Sequence, residues 1–398
     1  MTPKTIAFIS PRYIEASAGG AEVACRLFAE NLHREKGVST EILTTCAEDH
    51  YTWLNVHKEG NFEKNGVLVR RFSVDTRKET GKFDKIAERL FYKQDITAEE
   101  ERFFFDNNLN SQGLYEFIKK HADDYAFFIF VPYLFGLTVN GSRLVPEKTL
   151  LIPCLHDEPY AKLPLVRKTL SSVKGIICNS LPEAELVRNL GNVPPERTFV
   201  VGIGVDPPES VASPDALKRY PLRPPYIFYC GRREHGKSFF LLLEMFREYK
   251  KQNASSLQLV SAGSGYIPIA PSEKENIIDV GYVSEPVKAR LYREALLTCQ
   301  PSTKESFSIA LMESWHQGRP VVVSRRSSVT EAWVRLSGGG FSFQDFFDFE
   351  QILNYSLSHP EVLERMGACG REFAQKNFSS KKIIDRFLKA LIHFGYVI

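Results

Sequence analysis

Residues 299–331, CQPSTKESFSIALMESWHQGRPVVVSRRSSVTE, decide how the chain folds. Arg319 to Ser324 is a β-branched run closed by polar residues, the pattern of a short buried strand. Ahead of it, Ile309 to Gln317 has helical spacing, with Ile309, Leu311, Met312 and Trp315 for an apolar face and Gly318 as its stop. Ser306 or Ser308 is expected to cap that helix. Glu305 then falls in the loop outside the helix and Glu313 inside it, and continuous helix between them would separate them by roughly 12 Å. They are therefore not a dyad sharing one proton. They read as two anchors along an elongated ligand, with backbone N–H groups near Phe307–Ile309 facing it between them. A helix start of this kind binds phosphate without requiring a particular side chain.

Working outward, the same alternation of strand and helix recurs. Tyr226 to Cys230 reads as a strand, followed by Gly231-Arg232-Arg233-Glu234-His235-Gly236-Lys237 and a helix from Ser238 to Lys250, which Ser238 is expected to cap. Leu257 to Ala262 is a strand ending in Gly263-Ser264-Gly265, and Asn276 to Val280 a strand ending in Gly281-Tyr282-Val283. Val287 to Ala295 is a helix. Beyond Glu331 lie Gly338-Gly339-Gly340, an aromatic-acidic segment from Phe341 to Phe349, and final helices through Phe378 to His393.

Toward the N-terminus, Thr5 to Ser10 is a first strand, and a polar loop leads to Gly19-Gly20 and a helix from Ala21 carrying Val23, Ala24, Leu27, Phe28 and Leu32 on one side. Thr40 to Thr45 is the next strand. This βαβ unit gathers ligands at the carboxyl ends of its strands. Residues 76–121 are charge-rich and mostly helical. Ala126 to Val131 and Thr149 to Cys154 are buried strands, the second running into His156-Asp157-Glu158. Gly175 to Asn179 is a strand, Ser180-Leu181-Pro182-Glu183 opens a helix with a capping box, and Thr198 to Val201 is another strand. Pro207 to Pro225 holds six prolines and reads as a linker between two α/β domains, expected at 1–206 and 226–377.

Composition narrows the function classes. The chain of 398 residues is long enough for two cores, and a net charge of +3 is too small to argue for nucleic acid. Seven scattered cysteines without a C-x-x-C pair fit free thiols in a reducing compartment, so a cytoplasmic protein is expected. The apolar run from Tyr125 to Val139 is short for a membrane span and is read as a strand with its following loop. His156-Asp157-Glu158 does not converge as a metal site, and no Asp-x-Asp is present. No intact G-x-G-x-x-G follows the first strand, which disfavours a dinucleotide-binding dehydrogenase. Arg70-Arg71, Arg77-Lys78 and Lys119-Lys120 would attract an anionic acceptor or a membrane surface, although solvated faces explain them more simply.

The run PSTKESFSIALMESWHQGRPVVVS, with Glu305 and Glu313 as E-x7-E and Glu331 after it, resembles the donor-site signature of the GT-B retaining glycosyltransferases of family 4, the glycogen synthase and phosphatidylinositol mannosyltransferase type. Arg232 and Lys237 match the Arg and Lys of that family's G-R-x4-K motif. The resemblance implies two Rossmann-like domains facing across a cleft, with the last helix (about 378–398) returning to the first. It implies a hexosyltransferase using a nucleotide diphosphate-sugar without a metal or other cofactor. A glycan or lipid-linked acceptor is implied, with surface-polysaccharide assembly as the family-level setting, and peripheral membrane association is open.

By residue, the resemblance implies Arg232 and Lys237 on the diphosphate, Glu305 on the sugar hydroxyls and Glu313 on the ribose. Ser306, Phe307, Ser308 and Ile309 would face the donor, Gly263 would lie in a ligand-facing turn, and Tyr282 and Val283 would meet the nucleobase. Gly19 and Gly20 would lie near the diphosphate and the acceptor, and His156 would contact the sugar. Two departures stand out: Ser238 and Ser308 occupy positions where the family usually has glycine. The open alternatives are a GT-B nucleotide-sugar 2-epimerase, a catalytically silent partner-binding subunit, and a membrane-binding module.

Overall fold

The computed structural model describes residues 4–13, 19–49, 52–76 and 79–397; Arg77-Lys78 lie outside them. The chain folds into two compact units, Met1–Gly204 with Ser380–Ile398, and Val205–Ser379.

In the first unit, β1 (Thr5–Ile9), α1 (Gly20–Lys36) and β2 (Thr40–Thr45) form the expected βαβ unit. β3 (Gly60–Lys64) and β4 (Val67–Phe72) follow as a hairpin, then the helices α2 (Thr80–Phe91), α3 (Ala98–Asp106) and α4 (Gln112–Lys120). The chain continues through β5 (Tyr125–Phe130), α5 (Gly136–Gly141), β6 (Thr149–Leu151), α6 (Pro164–Ser172), β7 (Gly175–Cys178), α7 (Leu181–Gly191) and β8 (Thr198–Val200). The sheet order is β3-β4-β2-β1-β5-β6-β7-β8, parallel except for β3. Apolar runs such as YAFFIF in β5 are buried almost throughout because both faces of a parallel sheet are covered.

Three features depart from the sequence reading. The hairpin turns on Asn65-Gly66, at φ 52 and 77, with Lys64 opposite Val67; both central residues are left-handed, as a two-residue hairpin turn requires. The segment expected as a loop after β5 contains the short helix α5. The strand expected to reach Cys154 ends at Leu151, because the chain turns out of the sheet and Cys154 takes φ 51.

The second unit begins β9 (Tyr226–Cys230), α8 (Phe239–Gln252), β10 (Gln258–Ala262), β11 (Ile277–Gly281), α9 (Glu285–Glu294), β12 (Leu297–Gln300), α10 (Ile309–His316) and β13 (Val321–Ser324). It ends with α11 (Ser328–Ser337), β14 (Gly340–Phe343), α12 (Phe346–Ser358) and α13 (Pro360–Phe378). β14 spans the start of the aromatic-acidic segment and pairs in parallel with β13. The six strands run β11-β10-β9-β12-β13-β14, the doubly wound order that reverses between β9 and β12. Alternation along β9 sends Ile227 and Tyr229 into one core and Tyr226 and Phe228 into the other.

The proline-rich run expected as a linker packs onto this unit. Leu217 is buried in the Tyr226–Phe228 core, Gln258 accepts from Arg223 N, and Ala212 N donates to Pro286 O. After α13 the chain returns to the first unit as α14 (Ser380–His393). Ile383, Ile384, Phe387, Ala390 and Leu391 form its buried face, and Phe387 stacks on Phe28 at 4.4 Å between ring centroids. None of the helices among the described residues is long and apolar enough to cross a membrane.

Candidate functional site

Ligands of doubly wound sheets gather outside the carboxyl ends of the strands where the order reverses. In the second unit that point lies between β9, which leads to Arg232 and Lys237, and β12, which leads to Glu305. The structure brings these residues together: Lys237 Nζ stands 2.8 Å from Glu305 Oε1, with the Glu305 side chain only 8% exposed. Arg232 Nη2 stands 3.2 Å from Glu234 Oε1, and Tyr229 OH donates to the Arg232 carbonyl. Each cation thus already faces a carboxylate.

The floor beneath them is backbone. Gly263, at φ 129, approaches so closely that a Cβ there would lie 2.2 Å from the Gly231 carbonyl oxygen. Arg233 locks this arrangement. Its buried guanidinium donates to Ser261 Oγ and O, to the Gly263 and Gly265 carbonyls, and to Asp279 at 2.5 Å. Sequence reasoning passed over Arg233, since nothing in an Arg-Arg pair says which side chain turns inward.

The second anchor is held separately. Glu313, on α10, accepts from Lys288 Nζ at 2.8 Å and from Tyr292 OH at 3.0 Å, both on α9. Burial works against the Lys288 ammonium, but Glu313, Cys230 and Glu285 outweigh it and raise its pKa. Burial pushes the neighbouring Cys230 thiol up to about 12. The i, i+4 spacing of Lys288 and Tyr292 was the available signal for their shared face. Glu305 and Glu313 therefore hold different cations and share no proton.

Between the anchors, Ser306, Phe307 and Ser308 are buried. The Phe307 ring packs against Trp333 and Phe378, and its carbonyl accepts from Trp333 Nε1, so only its backbone is placed to meet a ligand. Ser308 does not cap α10 as expected. It sits at φ 77 and ψ 85 with no capping hydrogen bond, and its Oγ pairs with Gln300 Nε2. Ser238 likewise precedes α8 at φ 54 without capping it. A left-handed residue cannot aim its side chain as an extended N-cap does. Ile309 is the first residue of α10. At the β11 end, Tyr282 is 64% exposed, whereas the Val283 side chain is buried in the core and offers only its backbone.

Gly19, Gly20 and His156 belong to the first unit, at the carboxyl ends of β1 and β6. Gly19 N donates to Glu22 Oε2 at 2.6 Å, and Glu22 pairs with the buried Arg12 at the same distance. His156 Nδ1 lies 3.5 Å from Glu158 Oε1. Arg70 pairs with Glu41 and Arg71 donates to Tyr13 O, so this basic pair is spent on its own unit. No group of three or more His, Cys, Asp or Glu residues suited to a metal ion occurs among the described residues.

Comparison with known proteins defines the class. A sucrose-phosphate synthase from Thermosynechococcus elongatus superposes with a TM-score of 0.71 at 17% identity, over 97% of this chain and 98% of that one. HepE from Anabaena, in complex with UDP and glucose, gives 0.70 at 13% identity, over 98% and 99%. The fold is GT-B. Residues 217–373, all within the second unit, match the family described as glycosyl transferases group 1. A D-inositol 3-phosphate glycosyltransferase of Thermobifida fusca is 30% identical over 238 residues, 54% of each protein. A trehalose synthase of Pyrococcus horikoshii is 26% identical over 197 residues, 45% of this chain and 47% of that protein. The chain spans about half the length of these relatives.

Proposed function

We propose that the protein is a retaining glycosyltransferase of family 4 that moves a sugar from a nucleotide diphosphate donor to an acceptor hydroxyl. The observation that carries this reading is the convergence of Lys237 and Glu305 at the strand-order reversal of the unit that matches glycosyl transferases group 1. As the sugar–phosphate bond breaks, negative charge grows on the leaving diphosphate. Arg232, Lys237 and the free N–H groups at the start of α10 meet that charge without reorganising. In this proposal they do so in place of a divalent ion.

Glu305, released from Lys237 by the incoming phosphate, accepts from the sugar hydroxyls. Glu313 keeps its two partners and accepts from the ribose diol through its remaining lone pairs. Tyr282 offers an exposed ring to the base, and the proposal keeps Gly19 and Gly20 for the diphosphate and His156 for the sugar. The departing phosphate takes the acceptor's proton, so no protein nucleophile is invoked. A glycan or lipid-linked acceptor, surface-polysaccharide assembly and a cytoplasmic, membrane-peripheral setting complete the proposal.

The test is a thermal-shift screen against UDP, GDP and ADP and their sugars, followed by turnover with the stabilising donor. A donor at 100 times its Kd should add about 2.7 kcal/mol to stability. Failure of every nucleotide to shift the transition would reject the reading.

A further inference from the structure

One carboxylate of the first unit has no part in the chemistry above. Glu183, on the first turn of α7, is 1% exposed. Its oxygens accept from Asn179 N at 2.5 Å and from Leu155 N at 2.6 Å. Both donors lie beyond the ladder of β6 with β7, whose last registered pair is Leu151 with Ile176. Asn179 Nδ2 in turn lies 3.5 Å from Cys154 Sγ. Cys154 itself is left-handed, at φ 51, a conformation that costs a residue with a Cβ roughly 1–2 kcal/mol. Such strain persists only where the surroundings over-determine it. Two residues further on is His156.

A helix cap alone does not explain this carboxylate. Ser180 Oγ already accepts from Glu183 N at 3.3 Å, and the carboxylate reaches past it to tie two strand ends together. Burial pushes the carboxyl up to about 8, against the backbone N–H groups of Asn179, Leu155 and Ser180, which pull it down. Protonated or not, the carboxyl offers an acceptor lone pair on each oxygen, one for each N–H group; a glutamine would turn its NH2 toward one of them.

We infer that Glu183 is a positioning residue that locks the Cys154–His156 turn and so fixes where the His156 ring stands. The inference rests on the proposed function for the role of His156.

The test is steady-state turnover, with donor KM and nucleotide affinity, for Glu183→Gln, His156→Ala, the double variant, and Glu183→Gln combined with Cys154→Gly. Glu183→Gln is expected to lower kcat on the order of 10-fold at unchanged nucleotide affinity, since a misplaced group costs up to about 10²-fold. In the His156→Ala background the same change should cost nothing more. Cys154→Gly, which removes the left-handed penalty, should restore part of the lost turnover. An equal loss in both backgrounds, or no restoration by glycine, overturns the inference while leaving the role of His156 intact. Full turnover in His156→Ala overturns that role and the inference with it. Should Glu183→Gln fail to fold, Cys154→Val serves, because a β-branched residue resists φ 51; lowered kcat with unchanged nucleotide affinity supports the inference, and unchanged kcat overturns it.

Discussion

Two sets of carboxylates, one in each unit, use charge in opposite ways. In the second unit, cations and carboxylates meet in pairs: Lys237 with Glu305, Arg232 with Glu234, Lys288 with Glu313. Partly exposed pairs of this kind can be opened by a competing anion. In the first, Glu183 is buried and spends both oxygens on backbone, although ion pairs such as Arg12 with Glu22 stand elsewhere in that unit. The named pairs of the second unit can exchange partners, whereas Glu183 holds a turn still. A substitution in the second should therefore be felt by a ligand, and one at Glu183 by geometry and stability.

The sharpest way to break that contrast is to remove a cation. Arg232→Ala and Lys237→Ala should each lose on the order of 10²-fold in kcat, the usual loss for one preorganised donor. Near-normal turnover in both variants would remove the clamp.

The two glutamates come next. Glu313→Gln should weaken nucleotide binding by roughly 10-fold, a hydrogen bond to a charged group contributing about 1.5–3 kcal/mol. Glu305→Gln should lower turnover while leaving nucleotide affinity near that of the wild type. Titrations that look alike for the two variants would merge the anchors.

For the first unit the prediction concerns pH. The Glu183 carboxyl, raised to about 8, keeps its proton in the folded state at pH values where the unfolded chain has lost it. Its share of stability is thus present at acidic pH and declines as pH rises from the ordinary carboxylate range to about 8. The drop should be on the order of 2 kcal/mol in denaturant titrations, below the full linkage value because buried sites relax. Glu183→Gln should flatten this dependence; an unchanged slope would show that the carboxyl does not titrate there.

The smallest effect is expected at the two left-handed serines, Ser308 and Ser238. Both stand at positive φ, so Ser308→Gly and Ser238→Gly should each stabilise by at most about 1 kcal/mol, read as a Tm rise of a few degrees. Clear destabilisation by Ser308→Gly would mean that its Oγ contact with Gln300 outweighs the strain.

These contrasts also explain what the sequence could reveal. The alternation of buried strand and helix was legible because a doubly wound sheet imposes it residue by residue, and Lys237 and Glu305 were legible through the G-R-x4-K and E-x7-E motifs to which they belong. Arg233 was not, because Arg232 beside it is the same residue type and only folding buries one of them. Glu183 looked like half of a capping box, a local motif, while its second partner, Leu155, is distant in sequence. The serine caps failed because capping was judged from residue type, and the left-handed backbone at 238 and 308 depends on the loops that precede them. The β3–β4 hairpin carried a readable signal, the Asn65-Gly66 dipeptide, in a region where strand periodicity is weak.

The central claim is that the second unit grips a nucleoside diphosphate at the reversal point of its sheet. Calorimetric titration of UDP, GDP and ADP into the full chain and into Lys237→Ala tests it most directly. Binding of one of them to the wild type, weakened at least about 10-fold in the variant, is the predicted result. Equal affinity in the two proteins, or no binding of any of the three, would contradict it.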